Sequence, residues 1–177
     1  MKSLFWIAGL VSAFAVTATC GGKSPYSCAN GSAGVGVPYG DPAIGSLSVD
    51  VGSTPEDDLP ICPKAQRCQC SAGSFAVVAA LDTGLSVTVS VYEPAAGTFP
   101  ADNGAGESNS ITYAPGTGEV DCSDTDGASG SITLNSYSAS DGATVSGSFS
   151  GTLGSCGPTG AGGATLTNGT FSCTCNE

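Results

Sequence analysis

Hydrophobic and polar residues alternate along much of the chain after residue 44. In residues 47–51 and 85–91 every second residue is Leu or Val, and the residues between them are polar. Because successive side chains of a strand point to opposite faces, this period of two predicts strands that bury one face. The same reasoning predicts further strands at 75–81, 110–114, 119–122, 131–138, 144–153 and 164–173.

Turn signals separate several of these segments. Residues 81–85 (LDTGL) predict a tight turn between two hydrophobic runs, and residues 140–143 (SDGA) contain the Asp-Gly pair typical of hairpins. The chain contains 27 Gly and 10 Pro, a composition that disfavours helices. We therefore predict an all-β fold, with a single antiparallel β-sandwich or a partly open barrel at residues 44–177.

One predicted strand near the C-terminus divides clearly into two faces. Val145, Phe149 and Leu153 are predicted to face inward, with glycines between them that leave room beside the large side chains. The opposite face carries Ser148 and Ser150. Because a sandwich leaves its outer faces free to meet a partner, this face is a candidate binding surface.

The C-terminal third resembles the β-rich C-terminal segments of small bacterial surface lipoproteins. The resemblance is carried by residues 145–153 (VSGSFSGTL) and 167–171 (TNGTF) and brings no catalytic residues with it. The Asn168-Gly169 pair inside the last predicted strand indicates a β-bulge that shifts the register before Phe171.

The chain is strongly acidic and contains no histidine. It has 15 Asp and Glu against 4 Lys and Arg, a formal net charge of −11. Without an imidazole, Ser-His-Asp and Cys-His catalysis and His-ligated metal sites are excluded. A surface this negative repels phosphate backbones, which excludes nucleic acid as a partner.

The N-terminus has the features of an export signal. Lys2 provides a short positive region, and residues 4–16 form an apolar stretch that is too short to span a bilayer. We predict a signal peptide at residues 1–19, followed by a Gly/Ser/Pro-rich tether at 20–43 that Cys28 attaches to the folded body.

The end of this signal resembles the lipobox of bacterial lipoproteins, through the sequence ATCGG at residues 18–22. The resemblance implies that Cys20 becomes the N-terminus, carrying diacylglycerol and palmitate, and that these lipid chains attach the protein to the membrane. Glycine at position 21 implies the outer membrane of a Gram-negative envelope. Cleavage after Ala18 is the alternative and would give a freely secreted protein.

Nine cysteines are an odd number for an exported chain. With Cys20 acylated, eight are left for four disulfides, which would stabilise a small core that burial alone supports weakly. The predicted disulfide cysteines are Cys28, Cys62, Cys68, Cys70, Cys122, Cys156, Cys173 and Cys175.

Four of these cysteines form two C-x-C pairs, at residues 68–70 and 173–175. Because cysteines two apart on a strand share a face, the pairs could bind one zinc ion or form two adjacent disulfides. Disulfides are favoured, since an exported chain meets an oxidising compartment and structural zinc sites more often use C-x2-C spacing. A bond from Cys122 to Cys156 is one option among the remaining pairings.

An acidic segment suggests calcium binding as an alternative. Asp121, Asp124 and Asp126 could supply hard oxygen ligands, although Cys122 and Thr133 stand where an EF-hand needs carboxylates. A solvated turn is the favoured interpretation.

Paired carboxylates raise a second alternative, a hydrolase of polysaccharide. Glu93, Glu107 and Glu119 are the candidates, whereas residues 56–58 (EDD) are predicted to lie in a Pro-flanked turn. Trp6, in the signal, is the one tryptophan of the chain, so the mature protein lacks the commonest platform for stacking sugars.

These observations predict a cell-envelope lipoprotein that acts as a non-enzymatic structural or ligand-binding surface module. No catalytic residues, metal or cofactor are predicted, and the partner, protein or glycan, is left open. The alternatives are a secreted carboxylate-dependent hydrolase of polysaccharide and a calcium-stabilised adhesion module.

Overall fold

The computed structural model describes residues 26–29, 32–35, 43–63, 68–81, 83–101, 109–116, 122–123, 129–154 and 163–176. These ranges contain thirteen strands and no helix, and so no helix with the length and hydropathy needed to cross a membrane. The strands are β1 (Tyr26–Ala29), β2 (Ser32–Val35), β3 (Gly45–Val51), β4 (Thr54–Ile61), β5 (Cys68–Cys70), β6 (Ser74–Ala80), β7 (Ser86–Tyr92), β8 (Gly97–Ala101), β9 (Ser110–Ala114), β10 (Cys122–Ser123), β11 (Ser129–Ser136), β12 (Thr144–Leu153) and β13 (Ala164–Thr174).

The strands form two main antiparallel sheets and one hairpin. The five-stranded sheet has the order β10-β9-β7-β6-β5, and the six-stranded sheet has the order β4-β3-β13-β12-β11-β8. β1 and β2 pair with each other. Both large sheets are open at their edges, so the prediction of an all-β antiparallel sandwich is confirmed and a closed barrel is not formed.

One core lies between the two sheets. The alternate residues of both sheets that point inward are buried together in it. The largest fully buried side chains are Phe75, Leu47, Leu59, Ile61, Ile111, Ile132, Leu134, Leu153 and Leu166. Burial of this alternating set is the main favourable contribution to the fold.

Aromatic rings connect the two sheets within this core. Phe75 of β6 stacks on Phe171 of β13 with ring centroids 5.6 Å apart, and Phe171 contacts Phe149 of β12 at 6.4 Å. Tyr137 meets Phe75 edge-on at 6.0 Å. Such pairs contribute beyond their buried area, about 0.5 to 1.5 kcal/mol each.

Glycines make room for these rings, as the sequence predicts. Gly147 lies opposite Phe171, and Gly169 lies opposite Phe149. A Cβ atom on Gly147 would be 2.5 Å from the Phe171 ring, and one on Gly169 would be 2.7 Å from the Phe149 ring. Each phenylalanine therefore covers the glycine of the neighbouring strand.

The predicted bulge in the last strand is confirmed. Asn168 has a φ of 54°, and the pairing of β13 with β3 jumps from Thr167 to Thr170. Asparagine tolerates this left-handed conformation better than most residues.

Both predicted turns are also found. The amide of Leu81 donates to the carbonyl of Leu85 at 2.8 Å, with Gly84 at a φ of 87° between β6 and β7. Gly142 has a φ of 75° in the connection from β11 to β12. Glycine adopts these angles at little steric cost.

The acidic run at 56–58 corrects one prediction. These residues lie in β4, an edge strand of the six-stranded sheet, and not in a turn. Pro55 and Pro60 interrupt the donors of this edge, and the carboxylates oppose the approach of another strand. The charge run therefore protects a sheet edge.

Two further strands, β5 and β8, were not predicted from the pattern, and β1 and β2 lie inside the segment predicted as a tether. The signal peptide, Cys20 and most of the tether lie outside the described residues, so what the sequence indicates for them remains a prediction.

Candidate functional site: the hydroxyl face of the six-stranded sheet

The outward side of four neighbouring strands, β8, β11, β12 and β13, carries almost nothing but hydroxyl side chains. None of these four strands contains a charged residue. Their inward positions are occupied by the buried core, so alternation places the polar residues outside. We call the outward set the hydroxyl face; it comprises Thr98, Ser129, Ser131, Thr133, Ser136, Thr144, Ser146, Ser148, Ser150, Thr152, Thr165, Thr167, Thr170, Ser172 and Thr174.

Strand register arranges these hydroxyls in rows. Thr133 lies opposite Ser148, which lies opposite Thr170 on the next strand. Ser131 lies opposite Ser150 in the neighbouring row. Adjacent strands are about 4.8 Å apart, and residues two apart on a strand are roughly 6.7 Å apart. The face therefore presents hydroxyls in two dimensions at repeating intervals.

Some of the hydroxyls bond to each other across strands. The Oγ1 atoms of Thr98 and Thr133 are 2.9 Å apart, and the Oγ atoms of Ser136 and Ser146 are 3.3 Å apart. Each hydroxyl is one donor and also an acceptor. A hydroxyl that bonds to its neighbour therefore still has capacity for a ligand.

An acidic border ends the face at β3. Asn168 donates from Nδ2 to Oδ2 of Asp50 at 2.7 Å, and the Ser48 hydroxyl accepts from the amide of Asp58 at 3.0 Å. Beyond these contacts lies the acidic edge strand β4. The uncharged surface is thus confined to the outward side of the strands from β13 to β8.

Two shallow, open depressions lie on the hydroxyl face, and they share Ser131, Ser150 and Thr167 as lining residues. The bulged pair Asn168-Gly169 lines one of them. The bulge at Asn168-Gly169 therefore makes room for the Phe149 ring in the core and also forms part of a depression on the hydroxyl face.

Among the described residues, Asp50 lies at the border of this face, and the other carboxylates lie outside its strands. Asp50 is on β3, Glu93 follows β7 and Asp141 is in the turn before β12, while residues 56–58 are on β4. None of these described acids is buried. Of the predicted hydrolase residues Glu93 alone can be located; Glu107 and Glu119 lie outside the described residues, as do the calcium candidates Asp121, Asp124 and Asp126.

The two C-x-C pairs meet between the sheets as two adjacent disulfides, Cys68–Cys173 and Cys70–Cys175, which we call the disulfide pair. They join β5 of the five-stranded sheet to the end of β13 in the six-stranded sheet, with Cα–Cα distances of 6.2 and 5.5 Å. The prediction of disulfides at these four positions is confirmed.

A third disulfide, Cys28–Cys62, attaches β1 to the residue that follows β4. The predicted attachment of Cys28 to the body is confirmed. Cys156 and the side chain of Cys122 lie outside the described residues, so the bond suggested between them stays a prediction.

The two bonds of the disulfide pair differ in what they add to stability. Each spans 105 residues, and the first to close constrains a loop that corresponds to about 4.7 kcal/mol of chain entropy. Once it is closed, the second completes only a small ring through the two C-x-C segments. Its entropic contribution is therefore much smaller.

Tyr137 fixes the loop after β11 next to the disulfide pair. Its hydroxyl donates to the backbone carbonyl of Ser71, and the disulfide sulfur of Cys175 lies 3.5 Å from the Ser138 carbonyl oxygen. Burial raises the pKa of the Tyr137 phenol above its ordinary value of 10.0. The phenol is therefore neutral throughout the physiological range, as its donor role requires.

The chain matches no known family model, and no curated protein or solved structure shows significant similarity to it. Function is therefore inferred from the site alone. The sequence pointed to Ser148 and Ser150 on this surface, but not to the strands on either side, because their contribution depends on register.

Proposed function

We propose that this protein is a cell-envelope lipoprotein that acts as a non-enzymatic binding module through its hydroxyl face. The observation that carries the proposal is the uncharged face itself. In a chain with a net charge of −11, four adjacent strands have no charged residue and expose Ser and Thr in rows. The strands of the five-stranded sheet also lack charged residues, so what distinguishes the hydroxyl face is the continuation of its Ser and Thr rows across several strands.

The ligand that suits this face is a neutral, hydroxyl-rich polymer, that is, a polysaccharide. Serine and threonine hydroxyls both donate and accept, which matches the dual character of sugar hydroxyls. An anionic polymer would be repelled by the acidic remainder of the chain. The described hydroxyl face has no aromatic platform, so each contact is weak and binding depends on many contacts at once.

The anchor completes the proposal. A signal peptide at 1–19 and acylation of Cys20 would hold the domain at the outer membrane, with the residues between Cys20 and the disulfide-bonded Cys28 setting its distance from the bilayer. Intact-mass measurement of the envelope-extracted protein should find cleavage before Cys20 and added acyl mass. A soluble product that begins at Thr19 would contradict lipidation without bearing on the hydroxyl face.

Co-sedimentation tests the ligand class. The full-length protein is incubated with an insoluble neutral β-1,4-glucan, with an insoluble polymer of N-acetylglucosamine and with an anionic polyuronate gel. We expect sedimentation with at least one neutral polymer and less with the polyuronate. Release of reducing sugar during the incubation would contradict the non-enzymatic part of the proposal.

A pair of matched variants locates the contact. Ser150→Glu places a charge at the centre of the hydroxyl face, whereas Gln69→Glu places the same charge on an exposed position of β5 in the other sheet. We expect the first to lose sedimentation and the second to keep it. Equal binding by both variants, or no binding of the parent protein to either neutral polymer, would refute the proposed face.

A further inference from the structure

A shallow depression lies on the outward side of the five-stranded sheet, away from the hydroxyl face. Its outward-facing lining residues are Ser74 and Ala76 of β6, Ser90 and Tyr92 of β7, and Gly73 before β6. In the register of the two strands, Ser74 lies opposite Tyr92 and Ala76 lies opposite Ser90. Tyr92 is thus a large aromatic side chain among small ones, and it bounds the depression on one side.

Hydrogen bonds fix the backbone around this depression. The amide of Glu93 donates to the carbonyl of Gly73 at 3.0 Å, which joins the end of β7 to the turn before β6. Within that turn, the amide of Ser71 donates to the carbonyl of Ser74 at 2.8 Å, and the amide of Ser74 donates to Oγ of Ser71 at 3.0 Å. The depression is therefore preorganised, so little conformational entropy is lost when a ligand enters it.

Glu93 lies at the rim of the depression in a conformation that is unusual for glutamate. The residue is exposed and has a φ of 45°, in the left-handed region. Such strain persists where the surrounding structure holds it, and it is concentrated at ligand sites. Here the bond to Gly73 holds one side, and the amide of Tyr92 donates to Oδ1 of Asn109 at 3.0 Å on the other. The backbone thus keeps an acidic residue directly beside the aromatic wall.

The charge of the described residues favours a cationic ligand. All four basic residues of the chain lie outside the described ranges, which contain six acidic residues: Asp50, Glu56, Asp57, Asp58, Glu93 and Asp141. A surface with charges of one sign attracts ligands of the opposite sign. The face of a tyrosine ring also attracts cations, and this attraction is strong for ammonium groups that lose little hydration.

We propose that this depression binds a quaternary ammonium group, of the kind carried by choline, between Tyr92 and Glu93. The Tyr92 ring contacts the cation through its face, and the Glu93 carboxylate balances its charge. Ala76 and Gly73 leave room for the methyl groups, which need no hydrogen-bond partner. The site is separate from the hydroxyl face and does not depend on the binding of polysaccharide there.

Titration of the full-length protein with choline tests this proposal. The control ligand is dimethylbutanol, the neutral carbon analogue of choline, which has nearly the same shape without the charge. Nuclear magnetic resonance of the isotope-labelled protein should show that choline shifts the amide signals around Gly73 and Glu93 and binds roughly tenfold more tightly than the analogue. Added salt should weaken the binding of choline only. Equal affinity for the two ligands, or no binding of choline, would overturn the proposal.

Variants of the two proposed contact residues separate local recognition from general attraction. Tyr92→Phe keeps the ring and should keep binding, whereas Tyr92→Leu should weaken it roughly tenfold. Glu93→Gln should weaken binding about threefold to fivefold. Asp141→Asn is its matched control, because it removes one exposed carboxylate from a turn at the other sheet, and it should leave the affinity unchanged. Equal weakening by Glu93→Gln and Asp141→Asn would contradict a site at Glu93.

A blocking variant tests the depression without altering either contact residue. A Cβ atom on Gly73 would meet no atom within 4 Å, so Gly73→Leu is expected to fold and to fill the depression. It should abolish the binding of choline while the near-ultraviolet circular dichroism stays native. Sedimentation with the neutral polymers should be unchanged, since the hydroxyl face is intact. A native Gly73→Leu protein that binds choline like the parent would refute this location.

Discussion

The two sheets are alike on their inward faces and different on their outward faces. Strands β6 and β7 of the five-stranded sheet mostly alternate buried with half-buried residues, and the outward positions of β6 after the exposed Ser74 are Ala76, Val78 and Ala80. In β13 of the six-stranded sheet the outward positions are nearly all exposed, and most of them are Thr or Ser. The period of two determines that both sheets bury one face, but it leaves the chemistry of the other face free.

The outward faces are therefore the part of the two sheets that can indicate function. On the five-stranded sheet Thr88 and Ser90 of β7 lie opposite hydroxyl residues of β9 on one side, but opposite Val78 and Ala76 of β6 on the other, so the rows end at β6. On the six-stranded sheet, rows of hydroxyls continue across neighbouring strands. The same backbone geometry thus supports a mixed surface on one side of the sandwich and a uniform polar surface on the other.

The largest expected effect comes from the covalent connection between the two sheets. Replacing all four cysteines of the disulfide pair by alanine should lower the free energy of unfolding by at least about 4.7 kcal/mol, because the long loop is then unconstrained in the unfolded state. Replacing Cys70 and Cys175 alone should cost about 2 kcal/mol, because the remaining bond still closes that loop. Urea denaturation of the oxidised proteins measures both values.

The difference between these two variants in the loss of free energy of unfolding is the decisive result. If the double variant loses as much stability as the quadruple variant, it is wrong that one bond closes the long loop and the other only a small ring. Comparable losses would mean that strain or packing around the sulfurs, and not chain entropy, determines their contribution.

The inward faces of the two sheets should contribute about equally to the stability of the fold. Phe75→Ala in the five-stranded sheet and Phe149→Ala in the six-stranded sheet should each cost about 3 to 5 kcal/mol, because both rings are buried and leave a cavity. Chemical denaturation measures the loss, with Ser148→Ala as a control next to Phe149. A cost below about 1 kcal/mol at either phenylalanine would show that its sheet does not share the common core.

The sequence predicted the strands best where apolar and polar residues alternate without interruption. The bounds of β9 and β12 were predicted to the residue, because their apolar and small inward positions alternate with hydroxyl residues. β4 and β8 were not predicted, since they are edge strands in which Pro, Asp or Gly interrupts the pattern. An edge strand is held on one side by backbone pairing, which leaves a weaker trace in the side chains.

The candidate site was predicted only in part for a related reason. Ser148 and Ser150 could be assigned to an outward face from their own strand. Their neighbours Thr133 and Thr170 come from other strands, and only the observed register places them in one row. The cysteine pairing was limited in the same way, because spacing suggests that the C-x-C pairs meet but cannot select one connectivity among many.

The smallest expected effect on stability is the sharpest test of the comparison between outward faces. Ser131→Ala with Ser150→Ala removes two facing hydroxyls from the centre of the hydroxyl face, and Thr88→Ala with Ser90→Ala removes two from the outward side of β7. Each substitution should change the free energy of unfolding by no more than about 0.5 kcal/mol, because no core contact is lost. Only the first variant should sediment less with the neutral polymer, since the second leaves the hydroxyl face intact. Equal weakening by both would assign binding to general surface polarity and remove the distinction between the two sheets.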